Sequence, residues 1–468
     1  MKHIFFTSVL TIVMATMAMA QSTNFSGTWY GTTEAGPFSS SYVFHIEHNG
    51  DSIAVKFDSP MQKAFGYDVT ATINGDTLNI DIPIIQSSYS TTLVGNHLDG
   101  MFNSQQDKTY RLRMTHDNAE VTNRPQEAAV LADANKPYHS EDITITNGDI
   151  TLAGTLTIPN KGKRFPAVVL LTGSGMLDRD ENIFGHKGHL LLADALARQG
   201  FVVLRYDKRG VGASIGGQCT DPLAQLAEDA MAAVRFAAAR PEVDASRVGI
   251  VGHSEGGNIA IMNAAKYPDE IAYIVTMAGV GVPGYQISLN QSAAMDSIMG
   301  IDHDNPKEHF AEQMYTILGT ETDSTALRQR ILDLLNTDAY YQNYLEAALA
   351  ADTAHTASDY NEAMIEAYTS LQACEWLRMD PAKDLKHIKC PMLAVNGALD
   401  FQVDSEDNLG AIARYAPHAT VKSYENLNHL FQDCSGQDNL LNYAGISETM
   451  APVVINDITA WLKHVAMK

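Results

Sequence analysis

The sequence predicts an α/β protein with a mostly parallel sheet and a helical insertion, preceded by a small antiparallel β domain. Beyond residue 140, continuous apolar runs typical of strands buried on both faces alternate with helical patterns. Residues 22–120 instead show short alternating runs separated by turn signals such as Asn74-Gly75. Between 284 and 381 the alternation stops and the segment becomes rich in Ala, Tyr and Met.

Composition limits the function classes. The chain has 468 residues, 45% apolar and 19% charged, which supports a large core and argues against general disorder. Its 32 Lys and Arg against 55 Asp and Glu give a formal charge of −23. Nucleic acids and anionic membrane surfaces both attract clustered cations, so neither is expected as a partner. No segment after residue 20 is apolar enough to span a bilayer.

The first twenty residues predict a secretion signal. Lys2 supplies a short positive region, an apolar run follows over 4–19, and Ala18 and Ala20 are the small residues that a signal peptidase reads. The run is shorter than the ~20 residues of a membrane-spanning helix. We therefore expect residues 1–20 to be removed and the product to be exported, to the periplasm of a Gram-negative bacterium or beyond.

The antiparallel β domain is expected over residues 21–120, where about eight strands favour a barrel or a sandwich. Its opening Gly27-x-Trp29 is similar to the start of lipocalin-like barrels. Such a domain could bind a ligand or glycan, or serve as an accessory packing or dimerisation domain. Residues 121–140, polar and Ala-rich, predict a linker, and 141–468 form the α/β domain.

The elements of the α/β domain follow one another in the order expected for a parallel sheet. Apolar runs predict strands at 152–158, 167–171, 201–206, 248–251, 273–277, 392–396 and 421–424, and helical spacing predicts helices at 190–198, 223–239, 258–265 and 453–465. The helical segment at 284–381 lies between two of these strands, where a cap would be inserted. Residues 285–382 carry 16 Asp or Glu and 4 Lys or Arg, a balance of −12.

One motif indicates a nucleophile. Gly252-His253-Ser254-Glu255-Gly256 directly follows a predicted strand and precedes a predicted helix, which is the context of a nucleophile elbow. The bend lifts the Ser254 hydroxyl out of the sheet edge. It also places the Glu255 N–H at a helix N-terminus, where it could stabilise an oxyanion. An ordinary glycine-rich turn is the competing interpretation.

The acid and the base are expected after the serine, in the order Ser, Asp, His. His429 follows the last predicted strand, at the same sheet edge as Ser254, whereas His418 lies at the other edge and His464 in the closing helix. Asp400 directly follows the strand at 392–396 and is the predicted acid. The acids just beyond it are expected to serve the next helix: Asp404, Glu406 and Asp407.

A second oxyanion donor is expected in the loop after the strand at 167–171. Glycines in Thr172-Gly173-Ser174-Gly175 allow close approach of a ligand to the backbone. We predict the Ser174 N–H as donor, with the Gly175 N–H as the alternative. Charged residues near the strand ends could contact substrate but are expected to shape the loops: Asp178, Arg179, Asp180, Asp207 and Arg209.

Together these motifs resemble the α/β-hydrolase superfamily over roughly residues 138–468. The similarity is greatest to exported or dienelactone-hydrolase-like bacterial esterases with Thr-Gly-Ser-Gly…Asp-Arg-Asp, Arg-Tyr-Asp-x-Arg-Gly, Gly-His-Ser-Glu-Gly-Gly and Asn-Gly-x-x-Asp. The resemblance implies an α/β-hydrolase fold with a helical cap before the acid-bearing strand. It also implies a serine carboxylesterase with the triad Ser254, Asp400 and His429 and without metal or organic cofactor. Dienelactone-cleaving members carry cysteine instead, which argues against dienelactone as substrate.

The aromatic residues and the charge of the cap at 284–381 indicate the class of substrate. Two or three of its aromatic residues are expected to line the pocket, the rest to pack within the cap: Tyr315, Tyr340, Tyr341, Tyr344, Tyr360, Tyr368 and Trp376. Its negative charge should repel anionic substrates. We therefore expect uncharged acyl or sugar esters.

Other possibilities stay open. A serine peptidase or amidase of the same fold is disfavoured by Glu255, because such peptidases often carry Tyr there. A non-catalytic protein that binds a ligand through its β domain is a third option. The sequence also leaves the oligomeric state open, a homodimer included. The four cysteines allow three disulfide pairings or buried thiols, and none has zinc-site spacing: Cys219, Cys374, Cys390 and Cys434.

Overall fold

The computed structural model describes most of the chain in two units. The described residues are 24–33, 41–49, 52–59, 64–104, 109–116, 124–298, 305–351, 354–369, 371–434 and 443–467. The predicted signal at 1–20 lies outside them. The two compact units are residues 1–121 and 122–468. None of the helices in the described ranges is long and apolar enough to cross a membrane.

The first unit, over its described residues, is a closed antiparallel barrel of eight strands. The strands are β1 (Gly27–Thr33), β2 (Ser41–Asn49), β3 (Ser52–Ser59), β4 (Ala64–Asn74), β5 (Thr77–Ile82), β6 (Ser87–Val94), β7 (His97–Asn103) and β8 (Thr109–Thr115). Each strand pairs with the next, and β8 pairs with β1 to close the sheet. Closure removes the exposed edges that a sandwich would leave, so the structure selects the barrel of the two predicted forms.

Aromatic side chains fill the barrel interior. Trp29, Phe44, Phe57 and Tyr89 are all buried, and the rings of Phe44 and Tyr89 stack at 5.7 Å between centroids. The two polar tips are satisfied, since the Trp29 indole donates to the Phe25 carbonyl at 2.8 Å and the Tyr89 hydroxyl donates to a strand carbonyl. A small barrel filled in this way is a packed core. This packing favours an accessory domain over one that holds a ligand inside.

The second unit is built on an eight-stranded sheet within residues 124–467. Its strands are β9 (Tyr138–Asn147), β10 (Ile150–Pro159), β11 (Phe165–Leu171), β14 (Val202–Tyr206), β15 (Val243–His253), β16 (Ile274–Met277), β17 (Met392–Gly397) and β18 (Thr420–Tyr424), and a small hairpin holds β12 (Asn182–Ile183) and β13 (His186–Lys187). The strand order is β18-β17-β16-β15-β11-β14-β10-β9. β9 pairs with β10 and β10 with β14 in antiparallel fashion, whereas β11 and β14 to β18 run parallel to one another.

Helices cover both faces of this sheet. Outside the insertion they are α1 (Pro125–Ala132), α2 (Gly188–Arg198), α3 (Leu223–Ala238), α4 (Glu255–Lys266), α12 (Ser405–Tyr415) and α13 (Pro452–Ala466). Successive residues of β11 point to opposite faces: Val168 packs in the cluster that includes α2 and α13, and Val169 in the cluster that includes α3, α4 and α12. Burial on both faces explains why the parallel strands are continuous apolar runs.

The cap is inserted between β16 and β17, as predicted. Its described helices are α5 (Gly284–Ile298), α6 (Pro306–Thr320), α7 (Ser324–Thr337), α8 (Ala339–Ala351), α9 (Ala357–Tyr368) and α10 (Leu371–Arg378), and α11 (Pro381–Leu385) leads back to the sheet. The cap has its own hydrophobic core, in which Met314, Leu318, Ile331 and Tyr341 are buried. The fold class expected from the sequence, an α/β hydrolase fold with a preceding β-barrel, is confirmed.

The predicted linker at 121–140 needs correction. Its described residues, 124–140, include α1 and the start of β9, and they belong to the second unit. Pro125 does not break α1 because it occupies the first turn, where its missing N–H is not needed. The buried Glu127 carboxylate accepts hydrogen bonds from the Lys187 N–H at 3.0 Å and from the Thr449 hydroxyl. These tertiary contacts hold α1 against two segments that are distant in sequence. The polar sequence of 121–140 by itself does not indicate them.

The cysteines are thiols. All four are buried thiols. The Cys374 thiol donates to the Tyr368 carbonyl at 3.8 Å and the Cys434 thiol to the Gln432 carbonyl at 3.6 Å. Of the two options that the sequence left open, the structure has thiols at these positions.

The Glu127→Ala variant tests the role of α1. We expect a loss of about 1–3 kcal/mol in the free energy of unfolding, because the half-buried Lys187 N–H and the buried Thr449 hydroxyl lose their acceptor. Leu131→Ala on the same helix is the control, since Leu131 is 63% exposed and its loss should change stability by less than about 0.5 kcal/mol. Urea unfolding measures both. Equal stability of the two variants would mean that α1 is not anchored in this way.

Candidate active site

Ser254 lies on a sharp turn between β15 and α4. Its backbone angles are φ 51° and ψ −118°, a left-handed conformation that residues other than glycine rarely adopt. The Ser254 N–H donates to the Met277 carbonyl of the neighbouring strand at 2.8 Å. The surrounding structure therefore holds a strained residue in place, which is common at functional sites.

Two glycines make this turn sterically feasible. A Cβ on Gly252 would lie 2.1 Å from the Gly256 carbonyl oxygen, and a Cβ on Gly256 would lie 2.3 Å from the Leu171 carbonyl oxygen on β11. No larger residue fits either position without moving the backbone. The close approach explains why the motif needs glycine on both sides of Ser254.

His429 and Asp400 form a buried pair. The His429 Nδ1–H donates to Asp400 Oδ2 at 2.7 Å, and both residues are no more than 5% exposed. Asp400 Oδ1 accepts from the backbone N–H groups of Gln402 and Val403 at 2.8 and 2.9 Å. Three hydrogen bonds thus hold the carboxylate, and the pairing leaves Nε2 of the imidazole as the nitrogen that can act as a base.

The structure brings the three predicted triad residues to one edge of the sheet. Ser254 follows β15, Asp400 follows β17 and His429 follows β18, and the carboxyl ends of these parallel strands lie together. Among the described residues the Ser254 hydroxyl forms no hydrogen bond with His429. In ligand-free hydrolytic sites this contact often tightens only when substrate binds.

The rival acid and histidines lie elsewhere. The Asp404 carboxylate accepts from the Asp407 N–H at 2.8 Å and caps α12. The His418 Nε2–H donates to the Cys390 carbonyl at 3.2 Å, at the opposite end of β17. His464 is part of α13.

A cavity of about 260 Å³ opens at the serine. It is lined by Ser174, Asp221, Leu223, Ser254, Glu255, Val280, Gln291, Glu375, Trp376, Gln402 and Val403. The backbone N–H groups of Ser174 and Glu255 have no hydrogen-bond partner among the described residues. Both predicted donors are therefore free to bind a ligand at this cavity. Gly175, the alternative donor, is not a lining residue.

The expectation for the cap aromatics is wrong in number. Of the seven, all within the described residues, only Trp376 lines the cavity. Tyr341 is buried in the cap core, and Tyr340 and Tyr344 are partly exposed on α8. The remaining three pack against the cap core: Tyr315, Tyr360 and Tyr368. Helix packing uses these rings because the cap must build a core of its own.

Comparison with known proteins identifies the family of this chain. A model of the alpha/beta hydrolase fold family matches residues 166–433, more than half of the chain. The chain belongs to this family. It is also similar to Esterase EstD of Thermotoga maritima, with 27% identity over 327 residues that cover 69% of this chain and 68% of that protein. Esterase-type α/β hydrolases are thus the proteins to which it is related.

The similarities to solved structures are weaker. Est1E from Butyrivibrio proteoclasticus, with ferulic acid bound, is 16% identical, with a TM-score of 0.42 and coverage of 70% of this chain and all of that one. An esterase from Pyrococcus furiosus is 15% identical, with a TM-score of 0.41 and coverage of 70% and 92%. The family assignment rests on the sequence match alone.

In this α/β hydrolase the charged residues just past the strand ends form salt bridges that hold the loops in place. The Arg179 guanidinium binds Asp207 through two hydrogen bonds of 3.0 and 2.8 Å, and the backbone N–H of Arg179 donates to the same carboxylate. Arg209 pairs with Asp229 and with Asp221 of the cavity wall.

No group of three or more His, Cys, Asp or Glu side chains that could hold a metal ion occurs in the described ranges. The absence of a cofactor stays a prediction.

A buried pair of charged side chains, not expected from the sequence, lies next to His429. The His253 Nδ1–H donates to Glu181 Oε1 at 2.9 Å, and its Nε2–H donates to the His429 carbonyl at 3.0 Å. Both partners are acceptors, so His253 carries both protons. Glu181 also accepts from the Gly173 N–H at 2.8 Å. The pair therefore connects the residue before Ser254 to the His429 loop and to the loop that follows β11.

The electrostatics of this pair favour its charged form. Burial by itself raises the pKa of Glu181, but His189, His253 and the Gly173 N–H outweigh burial and lower that pKa to about 2. Burial lowers the pKa of His253, but Glu181 outweighs it and leaves the pKa raised. The pKa of His189 is lowered, chiefly by burial. Glu181 and His253 are thus an ion pair.

Replacing Glu181 should alter the acid stability. Its folded pKa is below its ordinary value of 4.5, so its stabilising effect is complete above about pH 4.5 and is lost as the pH falls towards about 2. Glu181→Gln should therefore be less stable than wild type near neutral pH, with the difference shrinking below about pH 4.5. Urea unfolding across this range measures it.

The exposed Glu346→Gln on α8 provides the control and should follow the wild-type curve. A constant difference between Glu181→Gln and wild type from neutral to acid pH would mean that Glu181 is not an ionised partner.

Proposed function

We propose that this chain is a serine carboxylesterase that cleaves esters through an acyl-enzyme on Ser254. The observation that carries the proposal is the strained Ser254 at a cavity, on the sheet edge that also carries the buried Asp400–His429 pair. The relationship to proteins named as esterases supports the reaction class.

In this mechanism Ser254 attacks the ester carbonyl while Nε2 of His429 takes the hydroxyl proton. Asp400 holds Nδ1–H, which keeps the imidazole in the required tautomer and stabilises its protonated form. The N–H groups of Ser174 and Glu255 stabilise the oxyanion, each by about 3–4 kcal/mol in comparable sites. His429 then protonates the leaving alcohol, and water repeats the sequence on the acyl-enzyme.

We further propose that the substrates are neutral esters, with uncharged acyl or sugar groups. Three carboxylates line the cavity, and each is already held by the protein: Asp221 by Arg209, Glu255 by Lys208, and Glu375 by the N–H groups of Leu223 and Ala224. A further negative charge on the substrate would find no free cation among these lining groups. The amides of Gln291 and Gln402 and the ring of Trp376 suit polar, uncharged groups.

The triad prediction is tested with a fluorophosphonate probe and a p-nitrophenyl ester. Ser254→Ala should lose labelling and at least about 10³-fold in kcat, and Asp400→Asn should lose a similar factor because the imidazole takes the wrong tautomer. Asp404→Asn, which removes only a helix cap, should keep kcat within about threefold. Thermal unfolding verifies that each variant folds.

Two results would contradict the proposal. Labelling of Ser254→Ala would place the nucleophile elsewhere, and a larger loss at Asp404 than at Asp400 would reverse the assignment of the acid. Faster cleavage of matched amides than of esters would make the protein an amidase.

Substrate charge is tested with esters of equal size. A hemisuccinate ester should be cleaved with kcat/KM at least about tenfold below the matched neutral ester, with the gap narrowing at high salt. Glu375→Gln should reduce the gap because it removes a negative charge from the cavity wall, whereas Glu346→Gln on the exposed surface of the cap should not. Equal rates for both esters in wild type would disprove electrostatic selection.

A further inference from the structure

Lys208 is a buried cation at the carboxyl end of β14 that the proposed mechanism does not use. It is 6% exposed, although lysine is rarely buried without a partner. Its ammonium donates to the Gly173 carbonyl at 2.7 Å and to Glu255 Oε1 at 2.5 Å. Both contacts are made to residues of the two loops that supply the oxyanion donors.

The first contact acts on the Ser174 donor. The Gly173 carbonyl and the Ser174 N–H belong to the same peptide group, and in a trans peptide they point in opposite directions. A cation bound to the carbonyl oxygen therefore fixes the plane of this peptide and directs the N–H away from itself. It also draws electron density from the N–H, which makes Ser174 a stronger donor.

The second contact acts on the other donor. The carboxylate of Glu255 belongs to the residue whose N–H starts α4, directly after the strained Ser254. By binding this carboxylate, Lys208 connects the end of β15 to the end of β11 across the sheet edge. One ammonium thus sets the distance and direction between two backbone donors that come from different strands.

We propose that Lys208 is a positioning residue that orients and polarises both oxyanion donors. The inference rests on the proposed esterase function and deepens it. Because Lys208 does not reach the substrate, its removal should act on the transition state, where the oxyanion forms, and leave ground-state binding nearly unchanged.

The experiment compares Lys208→Met, Glu255→Gln and the double variant Lys208→Met/Glu255→Gln. Lys208→Met leaves the Glu255 carboxylate without its cation, so it should lose both stability and kcat. The double variant removes both charges and should regain the melting temperature, but its kcat should stay about 10–100-fold below wild type with KM within about threefold. Glu255→Gln should lose less, because Lys208 still binds the Gly173 carbonyl.

A transition-state analogue separates positioning from folding. A trifluoromethyl ketone binds as a tetrahedral oxyanion, so its inhibition constant should rise in the double variant by the same factor as kcat/KM falls. Lys266→Met is the matched control, since this exposed lysine also pairs with a glutamate, Glu228, and its loss should leave kcat and inhibition unchanged.

The outcomes distinguish this inference from the proposed function. Wild-type kcat in the double variant, or an effect on KM in place of kcat, would overturn the role of Lys208 even if Ser254→Ala is inactive. Activity of Ser254→Ala would overturn the proposed function itself, and with it the oxyanion role of Lys208.

Discussion

The parallel arrangement of β14, β11, β15, β16, β17 and β18 is the constraint on which the candidate site depends. It brings the loops after five separated stretches of sequence to one edge, where each contributes one group: Ser174, Lys208, Ser254, Asp400 and His429. The narrow turn at Ser254 is possible only because the glycines beside it let α4 approach β11. A side chain in that gap would move the serine, its helix and the donor at the helix N-terminus together.

Charge compensation is the second principle of this site. The carboxylates near the serine are held by charged side chains, by the His429 Nδ1–H or by backbone N–H groups, and these bonds connect segments that are distant in sequence. His253 of the Glu181–His253 pair donates to the His429 carbonyl, and Lys208 donates to the Gly173 carbonyl and to the Glu255 carboxylate. Fixed charges of this kind cost desolvation but give a geometry that need not reorganise during reaction.

In the barrel, in the cap and at α1, tertiary packing decides roles that the local sequence pattern does not indicate. The barrel fills its interior with aromatic rings, and most cap tyrosines serve the cap core or its surface instead of the cavity. Residues 125–132 form a helix because Glu127 and its neighbours find partners on segments far away in sequence. The cap reaches the cavity chiefly through α10, where Glu375 also caps α3 and Trp376 lines the wall.

The sequence alone determined the fold class, the strand order along the chain and the positions of Ser254, Asp400 and His429, because apolar runs mark buried parallel strands and their ends mark the site. It could not identify α1, which of the seven cap aromatics lines the cavity, or the contacts of Glu181 and Lys208. Lys208 did carry a signal, since it stands between Asp207 and Arg209 just past a strand end. Only the tertiary structure decided which loop each charge binds, because those partners are distant in sequence and meet only when the sheet forms.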